Sequence, residues 1–132
     1  MDKYVLMLED DNDDRSLVKE TLSELVIDVP LRFFSSSDDL FEYLSQAEKP
    51  SLILLDDNST PDNGMTVLRK LKSDVRYQEI PVVILSESDL PSARKESYQL
   101  GASSFIKKPD SLDGTRRKIG FFFTYWLEVV EL

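Results

Sequence analysis

The chain has no histidine, no cysteine and only four glycines among its 132 residues. Without cysteine there can be no disulfide, no thiolate nucleophile and no sulfur-rich metal site. Long hydrophobic runs are missing too. No apolar stretch approaches the roughly 20 residues that span a bilayer, and no basic-then-apolar leader opens the chain. A cytoplasmic protein with no membrane partner is therefore expected. Basic residues are the minority: 16 Lys and Arg against 25 Asp and Glu leave a formal net charge of −9. That balance argues against nucleic-acid binding, which needs a basic footprint. The longest basic run, Arg116-Arg117-Lys118, is diluted by acids of the same segment. A protein partner or a cationic ligand is the expected target. What remains, 41% hydrophobic and 31% charged, is the composition of one ordinary globular domain, residues 1–132, able to bury a core without staples.

Strand-like and helix-like segments alternate five times. Tyr4–Leu8, Leu31–Phe34, Ser51–Leu55, Pro81–Leu85 and Phe105–Lys107 read as strands. The apolar character of Ser51–Leu55 suits a central parallel strand covered on both faces. Between them, helical spacing predicts a helix from about Asp13 to Val26, one capped by Asp38 or Asp39 and carrying Leu40, Phe41 and Leu44, and one after Gly64. A fourth spans about Ser92 to Leu100 and is terminated by Gly101. The last runs from Leu112 to the C-terminus. This alternation predicts an α/β fold, a five-stranded parallel sheet flanked by five helices.

The last helix is apolar on two sides. Ile119, Phe122, Phe123, Trp126 and Val130 share one face at about 100° per residue, with Phe121, Tyr125 and Leu132 opposite. Two apolar faces call for burial on both. Either the C-terminus folds back over its own domain, or the second stripe is a subunit interface.

Polar residues gather at the strand ends. Glu9-Asp10-Asp11 follows the first strand, Asp56-Asp57 the third, Ser86 the fourth and Lys108 the fifth. Ligands of open α/β sheets bind beyond the carboxyl ends of the strands. Converging carboxylates without histidine or cysteine suit a hard cation such as Mg2+, and with a hydroxyl and a lysine they make a phosphoryl-handling site. A nucleotide is disfavoured, because the first strand–helix turn, Asp10-Asp11-Asn12-Asp13-Asp14, is acidic and glycine-free.

Glu9-Asp10-Asp11, Leu55-Asp56-Asp57-Asn58 with Gly64, Leu85-Ser86 and Lys107-Lys108-Pro109 together resemble the receiver domain of two-component response regulators, a flavodoxin-like, doubly wound fold. The likeness covers the whole chain. Tyr125–Leu132 also resembles the C-terminal segment of single-domain receivers that partner phytochrome-type histidine kinases. The resemblance implies that Asp56 is the phosphoacceptor, taking a phosphoryl group from a sensor histidine kinase or a histidine phosphotransfer protein. With no histidine of its own, the chain must meet that phosphohistidine on a second chain. A carboxylate nucleophile needs no separate base. It further implies Mg2+ held by Asp10, Asp56 and the backbone carbonyl of Asn58, with Glu9 acting through water. Lys108 and Ser86 would bind phosphoryl oxygens, and Ser86 and Phe105 would be the switch. A signalling module rather than an enzyme is implied, with a downstream protein target. The second apolar stripe of the last helix, Phe121, Tyr125 and Leu132, gives the face for an expected homodimer, and the length of 132 residues leads us to expect no output domain.

At the level of residues alone, Asp57 competes with Asp56 as acceptor, Asp11 reads equally as a solvated loop acid, and Phe105 as plain core. The chain also departs from the family pattern. Ser59 and Thr60 stand where a Met-Pro pair is usual, with Pro61 one place later. Ser86 replaces the commoner Thr, and Glu87 occupies a position that is normally small. Those departures motivate an alternative, a pseudo-receiver that binds without phosphorylation. Asp56-Asp57-Asn58-Ser59-Thr60 also approaches the Asp-x-Asp-x-Thr signature of haloacid-dehalogenase-like phosphatases, but Asn58 cannot serve as their general acid and base.

Overall fold

The structure, a computed structural model, describes residues 3–57, 63–88, 90–109 and 111–132. Five strands form one parallel sheet: β1 (Val5–Leu8), β2 (Leu31–Phe34), β3 (Leu52–Asp56), β4 (Val82–Ser86) and β5 (Ser104–Lys107). Their spatial order is β2-β1-β3-β4-β5. Helices α1 (Asn12–Glu24), α2 (Ser37–Gln46), α3 (Gly64–Ser73), α4 (Pro91–Gln99) and α5 (Leu112–Thr124) supply the crossovers and cover the faces.

Strand alternation sorts the core into two layers. Leu6, Leu8, Ile53, Leu55, Val82 and Ile84 face Leu40 and Leu44 of α2 and Val67, Leu68 and Leu71 of α3. Val5, Met7, Leu52, Leu54, Val83 and Leu85 face Val18 and Leu22 of α1 and Phe122, Phe123 and Trp126 at the C-terminal end. β1, β3 and β4 are buried along their whole length, as continuous apolar runs require. Helix α4 buries little besides Ser97, and the hydroxyl of its Tyr98 accepts the Phe105 N–H at 3.2 Å.

Helix ends differ from the sequence expectations in instructive ways. Asp11 caps α1, its carboxylate accepting the Asp14 N–H at 2.9 Å. It is therefore a structural acid. Helix α2 is capped by Ser36, whose hydroxyl accepts the Asp39 N–H at 3.2 Å, while Asp38 and Asp39 sit in the first turn, favourably placed against the helix dipole. Helix α5 stops at Thr124 and widens into a π-helical turn, Tyr125–Val129, closed by Val130 N–H to Tyr125 O at 2.9 Å.

Helix α1 ends before Val26. Ile27 N donates to Leu22 O at 3.0 Å and Val26 N to Ser23 O at 3.1 Å, the paired bonds of a Schellman cap. Helix α4 closes the same way, through Ala102 N to Ser97 O and Gly101 N to Tyr98 O. There the left-handed position is Gly101, with φ +105°, as its sequence position predicts. In α1 that position is Val26, at φ +56° and 87% exposed. A β-branched residue is strained there and packs against little in return. Val26→Gly is expected to stabilise the fold by about 0.5–1 kcal/mol, the relieved strain less the added freedom of glycine in the unfolded chain. The midpoint of urea unfolding should rise at unchanged slope.

Candidate functional site

The carboxyl ends of β1, β3, β4 and β5 meet on one edge of the sheet. Leu8 pairs with Leu55, Asp56 with Leu85, and Ser86 with Lys107. The ladder continues one step past each strand, with Asp57 N donating to Leu85 O at 2.8 Å and Lys108 N to Ser86 O at 2.7 Å. Backbone pairing thus fixes where Asp56, Asp57, Ser86 and Lys108 start. On the other side, Glu9 N donates to Phe34 O at 2.9 Å. Arg15 clamps the same turn, donating from Nε to Glu9 O at 2.6 Å and from Nη2 to Ser35 Oγ at 2.8 Å.

Glu9, Asp14 and Asp56 bring carboxylate oxygens within 4.8 Å of one another. Glu9 and Asp56 are buried, and the Asp14 side chain is 49% exposed. Lys108 reaches into this group, its Nζ 2.6 Å from Asp56 Oδ2 and 3.8 Å from Asp14 Oδ2. Burial opposes the lysine charge, but the hydrogen bond to Asp56 and the attraction of Asp56, Glu9 and Asp14 outweigh it. The ammonium is held above its ordinary range. Burial, then hydrogen bonds to Asp56 and Asp14 and the charge of Asp56, push the Glu9 carboxyl well above the ordinary carboxylate range, up to about 10, with Lys108 pulling down.

One lysine cannot offset three carboxylates. Like charges about 4 Å apart repel by about 4 kcal/mol at an effective dielectric of 20, so the cluster either keeps a proton, as on Glu9, or takes up a further cation. Its donors are all oxygen, the set preferred by hard divalent ions. The residues present therefore fit such an ion, and Glu9, Asp14 and Asp56 would hold it.

This coupling has a definite sign. The folded state holds the Glu9 proton above the ordinary carboxylate pKa of 4.5, so it binds more protons than the unfolded chain from there up to about 10. Stability of the metal-free protein should therefore fall as pH rises across that window. Glu9→Gln should flatten the profile, as read from urea midpoints between about pH 5.5 and 9. An unchanged slope in the variant would assign the pH dependence to other groups.

The structure brings together most of the residues that the strand ends suggest. Asp10 is exposed and lies outside the three-carboxylate group, while Asn58, with Ser59, Thr60 and Pro61, falls outside the described residues. Ser86 is fully buried and donates to Asp57 Oδ2 at 3.1 Å. Phe105 is half-buried against the layer under α2 and α3, and Glu87 is exposed. Lys107 accepts the Lys118 ammonium on its backbone carbonyl at 2.9 Å. Sequence reading missed Asp14 and Arg15. Once Asp11 is the cap, Asp14 is the third helical residue, and helical side chains lean back toward the N-terminus, here toward the strand ends.

Beneath Lys108 a cavity of about 150 Å³ runs between α1, α5 and the sheet, floored by Met7, Leu54 and Phe122. No helix among the described residues is long and apolar enough to cross a membrane.

Response regulator Rcp1 of Synechocystis sp. is 30% identical, with the alignment covering 98% of this chain and 92% of that protein. The Mn2+-bound crystal structure of Rcp1 superposes with a TM-score of 0.91 over 98% of both chains. That of the phosphorylated cyanobacterial phytochrome response regulator RcpA also gives 0.91, at 28% identity over 100% of this chain and 99% of that one. A response regulator from Hahella chejuensis gives 0.89 at 30% identity over 98% of both chains. Residues 5–119 match the model of the response regulator receiver domain, and the chain belongs to that family of two-component signalling domains.

Proposed function

We propose that Asp56 accepts a phosphoryl group from a phosphohistidine on a sensor kinase or a histidine phosphotransfer protein, in a reaction that requires Mg2+. The observation that carries this reading is Asp56 itself: a buried carboxylate at a strand end, 2.6 Å from the Lys108 ammonium and within 4.8 Å of two more acids. An Asp56 oxygen attacks phosphorus, the O–P bond forms as the P–N bond breaks, and the imidazole leaves with the electron pair. Lys108 exchanges Asp56 for a phosphoryl oxygen, a task suited to a mobile point charge. Bound Mg2+, held by Glu9, Asp14 and Asp56 with Asp10 and the Asn58 carbonyl as the further oxygen ligands that the family resemblance implies, would offset the repulsion between these acids and the incoming phosphoryl group. Phosphorylated RcpA and Mn2+-bound Rcp1 support both parts of the reading.

Signalling then needs a shift between two states. Moving from 1:99 to 99:1 takes about 5.5 kcal/mol, whereas one charge-assisted hydrogen bond supplies about 1.5–3 kcal/mol. Ser86 and Lys108 therefore act jointly, with Phe105 following at the neighbouring strand. The output is contact with another protein, made by residues 1–132 as one receiver unit. Intact mass after incubation with a small phosphodonor tests the reading: a single adduct that needs Mg2+ is expected. No adduct, with Mg2+ still bound, would favour the phosphorylation-independent pseudo-receiver.

The outer stripe of the last helix supports a homodimer. Phe121, Tyr125, Val129 and Leu132 are exposed while Phe122, Phe123 and Trp126 face the sheet. Phe121→Asp with Tyr125→Asp should turn a dimer into a monomer in sedimentation velocity. A wild type that is monomeric at high concentration would end this part of the proposal.

A further inference from the structure

The phosphoryl transfer just described makes no use of Asp57, yet Asp57 holds the hydroxyl that the switch needs. Ser86 Oγ donates to Asp57 Oδ2 at 3.1 Å. A serine hydroxyl has one hydrogen to give, so Ser86 cannot donate to Asp57 and to a phosphoryl oxygen on Asp56 at once. The same Oγ accepts the Ser88 N–H at 3.0 Å, which ties its orientation to the loop that follows β4.

Asp57 is poorly placed to move with the hydroxyl. Its backbone N–H is held by Leu85 O at 2.8 Å. On its other side α3 approaches so closely that a Cβ on Gly64 would lie 3.1 Å from Asp57 Cα. Asn63 fixes that first turn by accepting the Met65 N–H at 2.7 Å. The second carboxylate oxygen, Oδ1, is buried with no hydrogen-bond partner among the described residues. Losing Ser86 therefore leaves Asp57 with less compensation than a solvated acid would have.

We infer that Asp57 is a positioning residue that latches Ser86 in the unphosphorylated arrangement. Phosphorylation of Asp56 reaches the β4–α4 loop only when the Ser86 hydrogen is exchanged from Asp57 to the phosphoryl group. The inference rests on the receiver reading of Asp56 and deepens it: the residue after the acceptor sets how readily the domain switches. Loss of the latch raises the competent fraction, and apparent affinity for a phosphoryl mimic rises in proportion.

The test is binding of beryllofluoride with Mg2+ to wild type, Asp57→Ala, Ser86→Ala and the double variant, with the Ser88 amide followed by NMR. Removing Asp57 also removes a negative charge near the site, and the cycle separates that effect from the latch. Asp57→Ala should tighten binding by about tenfold when Ser86 is present and by less than about twofold when it is Ala. The Ser88 amide of unliganded Asp57→Ala should lie displaced toward its liganded wild-type position. Equal tightening in both backgrounds overturns the latch and leaves a plain charge effect. Failure of the wild type to bind beryllofluoride through Asp56 overturns the receiver reading instead. Asp57→Asn keeps an acceptor oxygen and its Ser88 amide should stay where wild type has it. A displaced amide there overturns the latch even if Asp57→Ala does not fold.

Discussion

Asp56→Asn should take up no phosphoryl group under conditions where the wild type gains one in the presence of Mg2+. An amide has no charged oxygen to offer phosphorus, and its nitrogen is a poor nucleophile. The substitution is otherwise mild. Asparagine has nearly the same size, and its carbonyl oxygen can still accept from Lys108, which lies 2.6 Å from Asp56 Oδ2. It also removes one of three carboxylates packed within 4.8 Å, so the repulsion with Asp14 and the need for a proton on Glu9 both fall. The variant should therefore fold at least as stably as the wild type while losing the chemistry entirely. Intact mass reads the first statement and a urea titration the second. Full labelling of Asp56→Asn would sink the assignment and move attention to Asp57, the adjacent acid. The matching control is Asp57→Asn, which should still be labelled.

Phe123→Ala should destabilise the domain by about 3–5 kcal/mol, a large share of the roughly 5–15 kcal/mol that such a domain has in all. Phe123 is fully buried in the layer between β1, β3, β4, α1 and α5, with its ring 4.9 Å from that of Phe122 in an edge-on contact. Two residues earlier, Phe121 is 64% exposed and carries the Arg117 guanidinium 5.5 Å from its ring centre. Phe121→Ala should cost under about 1 kcal/mol in the monomer. The contrast between these two phenylalanines tests the rotation of α5 on the sheet. Urea midpoints at unchanged slope give the answer, and similar losses at both positions would mean that the helix is turned differently.

That rotation was readable without coordinates. A spacing of about 100° per residue placed Phe122, Phe123 and Trp126 on one face and Phe121 and Tyr125 on the other, and burial divides them the same way. The strands were equally legible, because runs such as Leu52–Leu55 are apolar at every position and only a covered parallel strand buries both faces. Gly101 marked its helix end through its own backbone freedom. In each case the signal is local, carried by a few consecutive residues whose periodicity or conformational preference has one stable outcome.

Other features depend on what lies opposite. Val26 continues the apolar spacing of α1, and nothing in that spacing shows that the helix closes two residues earlier in a left-handed cap. Asp38 and Ser36 are both good caps by residue type, and the path of the chain from β2 selects Ser36. Asp14 joins Glu9 and Asp56 because the first turn of α1 docks beside the ends of β1 and β3, and Asp10, one residue beyond Glu9, is left exposed. Ser86 and Asp57 lie 29 residues apart, and only the pairing of β3 with β4 brings them within a hydrogen bond. From its sequence alone this protein declares its sheet, its core faces and the carboxylates at the end of β3, since each is written in neighbouring residues. Which carboxylates share the cluster, which hydroxyl is held and which helix ends are strained follow from strand order and helix docking, because those contacts join residues that the chain itself keeps far apart.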